Sequence, residues 1–307
     1  MSPLSGRDAY RAELTSLAGV DPSILCLEAD LGGKDHPFAA AYPARFRNVG
    51  IAEGAMIDMA AALAVAGFRP FVSTFATFAA MRAAESLKLS LGYLGAPVTV
   101  VAPYAGVTGG WFGTTHHCLE DLAVVGALPG IAIAAPYGEQ ETRAVIREQA
   151  RGDRPAYVRL GRNGAFDSLP WDGDTVPPVV WQGPARSGDR CLVSAGEYGT
   201  ELCVAAVAAE PGVPHAHLCW LDEPHLYQAA AELAGFRELV VVEDHRGWGG
   251  AASALARILP ATSIRSVAPS GWPAHGGSAA EVAAELGLDL PAVLRALALP
   301  HPLPHAA

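Results

Sequence analysis

Residues 47–67 read RNVGIAEGAMIDMAAALAVAG, and this stretch decides the fold prediction. From Ala52 to Ala66 the pattern predicts a helix that is apolar around most of its circumference, with Gly67 just past its end. A helix of this kind is typical of a protein interior or an interface. Glu53 lies in the first turn of this helix, on the same face as the apolar residues Met56 and Ile57.

A carboxylate on a buried helix face has two interpretations. The simpler one is an acidic residue that stabilises the positive end of the helix dipole. The other is a carboxylate that meets a partner, because a lone buried charge is unfavourable. The segment Asn48–Glu53 (NVGIAE) resembles the NVGIAEQ signature of transketolase-like enzymes and deoxyxylulose-phosphate synthases, although Gly54 replaces the usual Gln. That resemblance implies thiamine diphosphate as cofactor, with Glu53 hydrogen-bonded to N1′ of its aminopyrimidine.

The composition favours a soluble α/β protein of two domains. The chain has 307 residues, of which 51% are hydrophobic, with 33 Gly and 24 Pro. The net charge of −10 argues against binding to nucleic acid or to an acidic membrane surface. Five cysteines without CxxC spacing, no apolar signal segment and no membrane-length apolar run predict a cytoplasmic protein with reduced thiols.

Buried strands alternate with helices along the chain, which predicts two doubly wound α/β domains. The predicted strands are 24–27, 68–74, 97–102, 129–136 and 156–160 in the first domain and 191–194, 216–219, 239–243 and 264–267 in the second. The resemblance implies a pyrimidine-binding domain over 1–165 and a transketolase C-terminal domain over 190–307. Turn residues over 166–189 predict a linker.

Several residues besides Glu53 are candidates for the cofactor site. Asp30 follows the first strand, where a turn residue is the alternative to a ligand contact. Phe75, Phe78 and Met81 recur at intervals of three, which is typical of a core stripe and also suits rings that stack on a flat heterocycle. The resemblance implies that these three side chains surround the aminopyrimidine, and that Asp30 and Ile51 lie near the cofactor.

A glycine-rich loop ends in Thr114-Thr115-His116-His117. Adjacent histidines are weak evidence for a metal site, since the residues around them lack ligand spacing. His116 matches the His of the family's G-x-THQ motif, and His117 replaces the Gln. The resemblance implies that His116 is catalytic and moves protons, and that His117 lies beside the substrate.

The same loop departs from sugar-using relatives at three positions. Tyr104 stands where the family has its first His, and Trp111 and Phe112 replace a Glu-Asp pair. The His and Asp of the family contact sugar hydroxyls. Replacing a hydrogen-bond acceptor by an apolar ring penalises a polyol, so we predict substrates other than the standard pentose phosphates.

Two arginines are candidates for the anionic end of a substrate. Arg162 falls at the family's phosphate-binding Arg, and Arg7 is a second candidate. Guanidinium groups bind phosphate or carboxylate through paired hydrogen bonds, although an exposed Arg is more often simply solvated.

The sequence contains no Gly-Asp-Gly motif, which in the family holds Mg²⁺ and the diphosphate. The resemblance therefore implies a separate partner subunit that carries the diphosphate domain and Mg²⁺, in an α₂β₂ heterotetramer. The predicted function is transfer of a two-carbon ketol or related acyl unit from a ketose-like donor to an aldehyde, in specialised metabolism.

Two alternatives stay open. One is a β-subunit-like component of an enzyme that decarboxylates 2-oxo acids or forms acyloins, because Trp111 and Phe112 suit a less hydroxylated substrate. The other is a non-catalytic subunit that assembles a partner. The residues that argue against it are Glu53, Phe75, Phe78 and His116.

Overall fold

The computed structural model describes residues 2–31, 35–162, 164–183 and 188–300. The elements up to residue 159 are α1 (Gly6–Ala18), β1 (Ile24–Glu28), α2 (Pro37–Ala41), β2 (Phe46–Asn48), α3 (Glu53–Val65), β3 (Arg69–Ser73), α4 (Ala84–Ser86), β4 (Thr99–Ala102), α5 (Asp121–Gly126), β5 (Ala132–Ala134), α6 (Gly138–Arg151) and β6 (Ala156–Arg159). Those that follow are β7 (Val180–Gln182), β8 (Gly188–Ala195), α7 (Glu197–Ala209), β9 (His215–His217), α8 (Glu223–Leu233), β10 (Phe236–Glu243), α9 (Ala251–Ile258), β11 (Ser263–Val267), α10 (Ala279–Glu285) and α11 (Leu290–Ala298). Within these ranges, every helix is too short or too polar to cross a lipid bilayer.

The first six strands form a parallel sheet in the spatial order β2-β1-β3-β4-β6-β5. Strands β4 and β6 are buried along their whole length, as expected for parallel strands covered by helices on both faces. The carboxyl ends of β1, β3 and β4 meet at one edge of this sheet. Ligands bind at that edge in open parallel sheets, so the loops that follow these strands are the first place to look for a site.

The second sheet has the order β11-β10-β8-β9-β7, with β7 antiparallel to β9 and the other pairs parallel. Backbone hydrogen bonds join the two halves of the chain: Ala135 N–H donates to the carbonyl of Cys219, and Leu221 N–H donates to that of Ile133. The predicted α/β class with two sheets is confirmed.

The segment predicted as a linker is packed against both halves rather than free. It contributes β7, and Val176, Val179 and Val180 are buried. The indole N–H of Trp220 donates to the carbonyl of Val176 at 3.3 Å. The turn residues that predicted a linker are thus interrupted by valines that bury their side chains. The domain bounds at 165 and 190 stay a prediction; residues 184–187 of this segment lie outside the described residues, as do Gly32 and Gly33.

Helix α3 matches the sequence prediction to within one residue at each end. Gly67, with φ of 92°, adopts a left-handed conformation that a side chain would strain. Met56, Ile57 and Ala60 on one side are buried in the core, whereas Met59 on the other side is exposed. The helix therefore lies on the surface of this chain while presenting apolar side chains to solvent.

The segment after β3 winds more widely than predicted. Phe78–Arg82 and Leu87–Tyr93 are π-helical, and the N–H of Ala83 donates to the carbonyl of Phe78, five residues back. This widened turn brings Arg82, rather than Met81, over the Phe78 ring. The expectation that Met81 shares a face with Phe78 is corrected by this geometry; its side chain is 43% exposed.

A buried ion cluster joins the two sheets. Arg159, at the end of β6, donates from Nε to Asp121 Oδ2 at 2.9 Å and pairs through its terminal nitrogens with Asp244, which follows β10. Tyr157 also donates its hydroxyl to Asp121 Oδ2, at 3.1 Å. All four side chains are buried. One guanidinium therefore compensates two buried carboxylates from different halves of the chain.

We expect Arg159→Met to destabilise the protein by about 3 to 5 kcal/mol, because it leaves two buried carboxylates without a counter-charge. The measurement is the free energy of unfolding in urea. Arg237→Met is the matched control, since Arg237 pairs with Asp189 at 3.5 Å on the surface and its loss should change little. Equal unfolding midpoints for the two variants would contradict the assignment of Arg159 as the link between the sheets.

All five cysteines are free and buried. Burial raises the pKa of Cys191 to about 12 and raises the pKa of the other four thiols as well. These thiols are therefore protonated near neutral pH and behave as small apolar side chains.

Candidate active site

Glu53 begins α3 with its carboxylate almost fully buried, at 2% exposure. Oε1 accepts a hydrogen bond from Arg82 at 2.6 Å. Oε2 is buried and, among the described residues, accepts no hydrogen bond. Buried polar atoms are nearly always paired, so an unpaired carboxylate oxygen marks a place where a donor from outside the chain fits.

Arg82, which also lies over the Phe78 ring, links this carboxylate to a continuous cluster of five rings. They are those of Phe75, Phe78, Tyr104, Phe112 and His116. The Phe75 ring lies 4.4 Å from Tyr104 and 5.1 Å from His116, centroid to centroid. Phe112 lies 5.0 Å from His116 with an angle of 28° between the ring planes. Phe75 and Phe78 are half-buried rather than in the core, so the cluster forms a wall that a flat ligand could contact. The alternative of a plain core stripe does not describe these residues.

His116 lies between Phe78 and Phe112, with ring centroids 5.2 Å and 5.0 Å away. Its Nδ1 lies 2.9 Å from the hydroxyl of Thr115. Burial lowers the pKa of His116, and the positive charge of Arg82 lowers it further. The imidazole is therefore neutral at pH 7 and able to accept a proton.

Tyr104 and Arg162 form the other end of the wall. Tyr104 has φ of 65°, a left-handed conformation that is rare for a bulky residue and that is found mostly where function requires it. Arg162 Nε donates to the Tyr104 hydroxyl, and its guanidinium carbon lies 5.3 Å from the centre of the Tyr104 ring. The predicted substrate residues Tyr104, Phe112 and Arg162 are thus brought together.

The other candidates lie farther out or elsewhere. Asp30 is exposed, with a left-handed φ of 45°, and its N–H donates to Asn48 Oδ1. Ile51 and Trp111 are mostly exposed, at 71% and 73%. Their roles stay predictions.

Two predicted substrate residues do not point into the cluster. His117 is buried, with Nε2 at 3.4 Å from the carbonyl of Gly110, so it supports the loop rather than lining the wall. Arg7 lies in the first turn of α1, where it contacts Asp8 at 3.5 Å. Among the described residues, no hydrogen bond, ion pair or cation–ring contact joins Arg7 to the five rings.

Arg82 is the site residue that the sequence interpretation missed. It pairs with Glu53, and its guanidinium carbon lies 4.1 Å from the centre of the Phe78 ring. Only the interval of four from Phe78 could have indicated it, and that interval also describes an ordinary solvated Arg.

The described residues include no group of three or more His, Cys, Asp or Glu side chains placed to hold a metal ion. An aminopyrimidine fits the residues that are present. The unpaired Glu53 oxygen can meet a ring nitrogen, and the half-buried Phe75 and Phe78 can contact its faces.

Comparisons with known proteins give the relatives of this chain. Residues 2–165 match the model of the transketolase pyrimidine-binding domain. The chain is 31% identical to a putative transketolase C-terminal section of Methanocaldococcus jannaschii, over 84% of this chain and 83% of the relative. It is 29% identical to one of the subunits of the apulose-4-phosphate transketolase of Phocaeicola vulgatus, over 92% of this chain and 93% of that relative.

The chain spans only about half of other relatives. It is 31% identical to the 1-deoxy-D-xylulose-5-phosphate synthase of Aromatoleum aromaticum, over 85% of this chain but 42% of that enzyme. Among solved structures, a split-gene transketolase described as an inactive β₄ tetramer superposes with a TM-score of 0.82. That protein is 29% identical, and the alignment covers 96% of this chain and 97% of the other.

Proposed function

The chain belongs to the transketolase family, and from this premise we propose that it is one subunit of an enzyme that transfers a two-carbon ketol or related acyl unit from a ketose-like donor to an aldehyde. The family domain implies thiamine diphosphate as cofactor. The observation that carries the proposal is Glu53 Oε2, a buried carboxylate oxygen that no described residue of this chain satisfies. Arg82 joins the same carboxylate to the wall of aromatic rings.

Bound thiamine diphosphate would supply the covalent chemistry of breaking and forming the C–C bond. Glu53 would share a proton between Oε2 and N1′ of the aminopyrimidine, while Phe75 and Phe78 contact the ring and exclude water. His116 is held through Nδ1 by Thr115, which leaves Nε2 as the nitrogen that exchanges a proton with a substrate oxygen.

Apolar exposure supports a partner subunit. Eight large apolar side chains are exposed on α3, on the π-helical segments that pack against it and on the connections around them; they are Ile51, Met59, Val65, Phe68, Met81, Leu89, Tyr93 and Leu94. We call these residues the apolar face. Apolar surface of this extent is typical of protein–protein contacts. The split-gene relative is inactive as a tetramer of β chains, which is consistent with a requirement for a second kind of subunit.

The partner in this proposal carries the Gly-Asp-Gly motif, which is missing from the sequence of this chain, and holds Mg²⁺ and the diphosphate. The two polypeptides would assemble as α₂β₂ in the cytoplasm. With the partner on the apolar face, a cofactor held by its diphosphate in the partner would reach Glu53 with its aminopyrimidine end.

The test is turnover of a ketose donor with an aldehyde acceptor. We expect this chain to be inactive with thiamine diphosphate and Mg²⁺ when alone, and to become active when a polypeptide with the Gly-Asp-Gly motif is added. Product formation is measured by chromatography of the ketose formed. Full activity of the chain alone would contradict the proposal. So would an assembled complex that stays fully active when Glu53 of this chain is replaced. The latter would favour a non-catalytic assembly role.

A second candidate is a component that decarboxylates a 2-oxo acid. The apolar contacts of Phe112 with Phe75, Tyr104 and His116 favour it, because they offer few partners to substrate hydroxyls. Release of CO₂ from a 2-oxo acid by the complex, at a rate above that of ketol transfer, would establish this alternative.

A further inference from the structure

Arg82 ends the π-helical segment Phe78–Arg82 and connects three residues of the site. Its terminal nitrogen donates to Glu53 Oε1 at 2.6 Å, and its guanidinium lies over the Phe78 ring. Its charge also acts on His116, whose pKa it lowers. None of these partners is near Arg82 in sequence except Phe78, so the fold has to bring them together.

The Glu53–Arg82 pair differs from an ordinary surface ion pair. The side chain of Arg82 is 47% exposed, whereas that of Glu53 is only 2% exposed. Pairs in which both partners are exposed contribute little, but a buried carboxylate depends on its partner for charge compensation. The pair is also asymmetric at the carboxylate, since Arg82 occupies Oε1 and leaves Oε2 unsatisfied.

We propose that Arg82 is a positioning residue: it fixes Glu53 through Oε1 so that Oε2 is the oxygen offered to the coenzyme. This inference rests on the proposed function, but it assigns a role to a residue outside the signature that carries Glu53. The wide π-turn is what makes the role available, because it places residue 82 over Phe78.

Among the described residues, the charged or titratable groups that bear on His116 come from three segments. Arg82 lies on the neighbouring π-helical segment, with Glu53 as its partner from α3. His117 is adjacent in sequence, and its ring is turned to the carbonyl of Gly110. Among these groups, Arg82 supplies the positive charge that favours the neutral imidazole. Removing that charge therefore raises the pKa of His116 and moves the acid limb of a pH–activity profile to higher pH.

The experiment compares Arg82→Gln, which removes the charge, with Arg82→Lys, which keeps the charge but lacks the planar fork. Arg237→Gln is the matched control, since it removes one exposed Arg far from the site residues in sequence and paired only with Asp189 in the described contacts. The first readout is the pKa of His116, followed by NMR of the imidazole nitrogens in the chain without coenzyme. The second is the affinity of the assembled complex for thiamine diphosphate with Mg²⁺, followed by quenching of tryptophan fluorescence.

We expect Arg82→Gln to raise the pKa of His116, because a nearby positive charge is removed, and to weaken coenzyme binding about tenfold. Arg82→Lys should leave the pKa of His116 near that of the parent and give intermediate affinity. Arg237→Gln should change neither quantity.

An Arg82→Gln protein with unchanged coenzyme affinity overturns the inference, whether or not the pKa of His116 moves. If that variant does not assemble with the partner, Arg82→Lys decides: equal affinity with the parent overturns the inference, and weaker binding supports it. Full activity of the complex that carries Glu53→Gln would instead overturn the proposed function. Failure of the inference about Arg82 and failure of the proposed function are therefore distinguishable.

Discussion

Replacing Glu53 by Gln is expected to lower kcat of the assembled enzyme by about 10³-fold, the range in which loss of a proton-transferring group falls. Gln has nearly the same shape as Glu and therefore fits the same buried position in the first turn of α3. It cannot share a proton with N1′ as a carboxylate does, so the chemistry is lost while the site is kept. Arg82 is half exposed and can be solvated when its partner loses charge, so folding should be little affected.

The measurement is kcat with the partner, thiamine diphosphate and Mg²⁺ present. Co-elution with the partner in size-exclusion chromatography shows that assembly is intact. Glu223→Gln serves as the control, because Glu223 forms an exposed pair with Arg257 at 3.3 Å in the second half of the chain. Turnover by Glu53→Gln at the rate of the parent protein would refute the assignment of Glu53.

The second large effect concerns substrate choice. We expect kcat/KM for xylulose 5-phosphate with ribose 5-phosphate to be roughly 10²-fold below that for hydroxypyruvate with propanal, because an apolar pocket discriminates against an added hydroxyl by about that factor. Phe112 presents its ring to His116, Phe75 and Tyr104, and it offers no acceptor to a sugar hydroxyl. The hydroxyl of Tyr104 is already engaged by Arg162.

Phe112→Asp should restore a hydrogen-bond acceptor. We expect it to raise kcat/KM for the pentose phosphates, relative to kcat/KM for hydroxypyruvate with propanal, by tenfold or more, which is the range of one hydrogen bond to a charged group. Trp111→Asp is the matched control, since it makes the same kind of change at a neighbouring side chain that is mostly exposed. Efficient use of both pentose phosphates by the parent enzyme would show that the aromatic wall does not select against hydroxyls.

The sequence predicted α3 well because its signals are local. The apolar run and Gly67 are contained in the same short stretch, so no distant residue is needed to place the ends of the helix. The segment Phe46–Asn48 just before it was not predicted as a strand. It is a three-residue edge strand with half-buried or exposed side chains, which leaves no periodic pattern to detect.

The aromatic part of the site was predicted from the resemblance, whereas the electrostatic part was not. Phe75, Phe78 and His116 stand at motif positions, and the structure brings their rings together. The contact between Arg82 and Glu53 joins residues 29 positions apart and depends on a π-turn. Intervals of three and four are both compatible with an ordinary helix, so the sequence pattern does not distinguish Met81 from Arg82 as the residue facing the ring.

The five buried cysteines have a practical consequence for studying assembly. Maleimides and iodoacetamides react with exposed thiolates, and this chain presents none among its native cysteines while it is folded. A single cysteine introduced at Tyr93, on the apolar face, would therefore carry a fluorophore without prior removal of the native thiols. Such a probe reports docking of the partner directly, independently of whether any substrate for the complex has been identified.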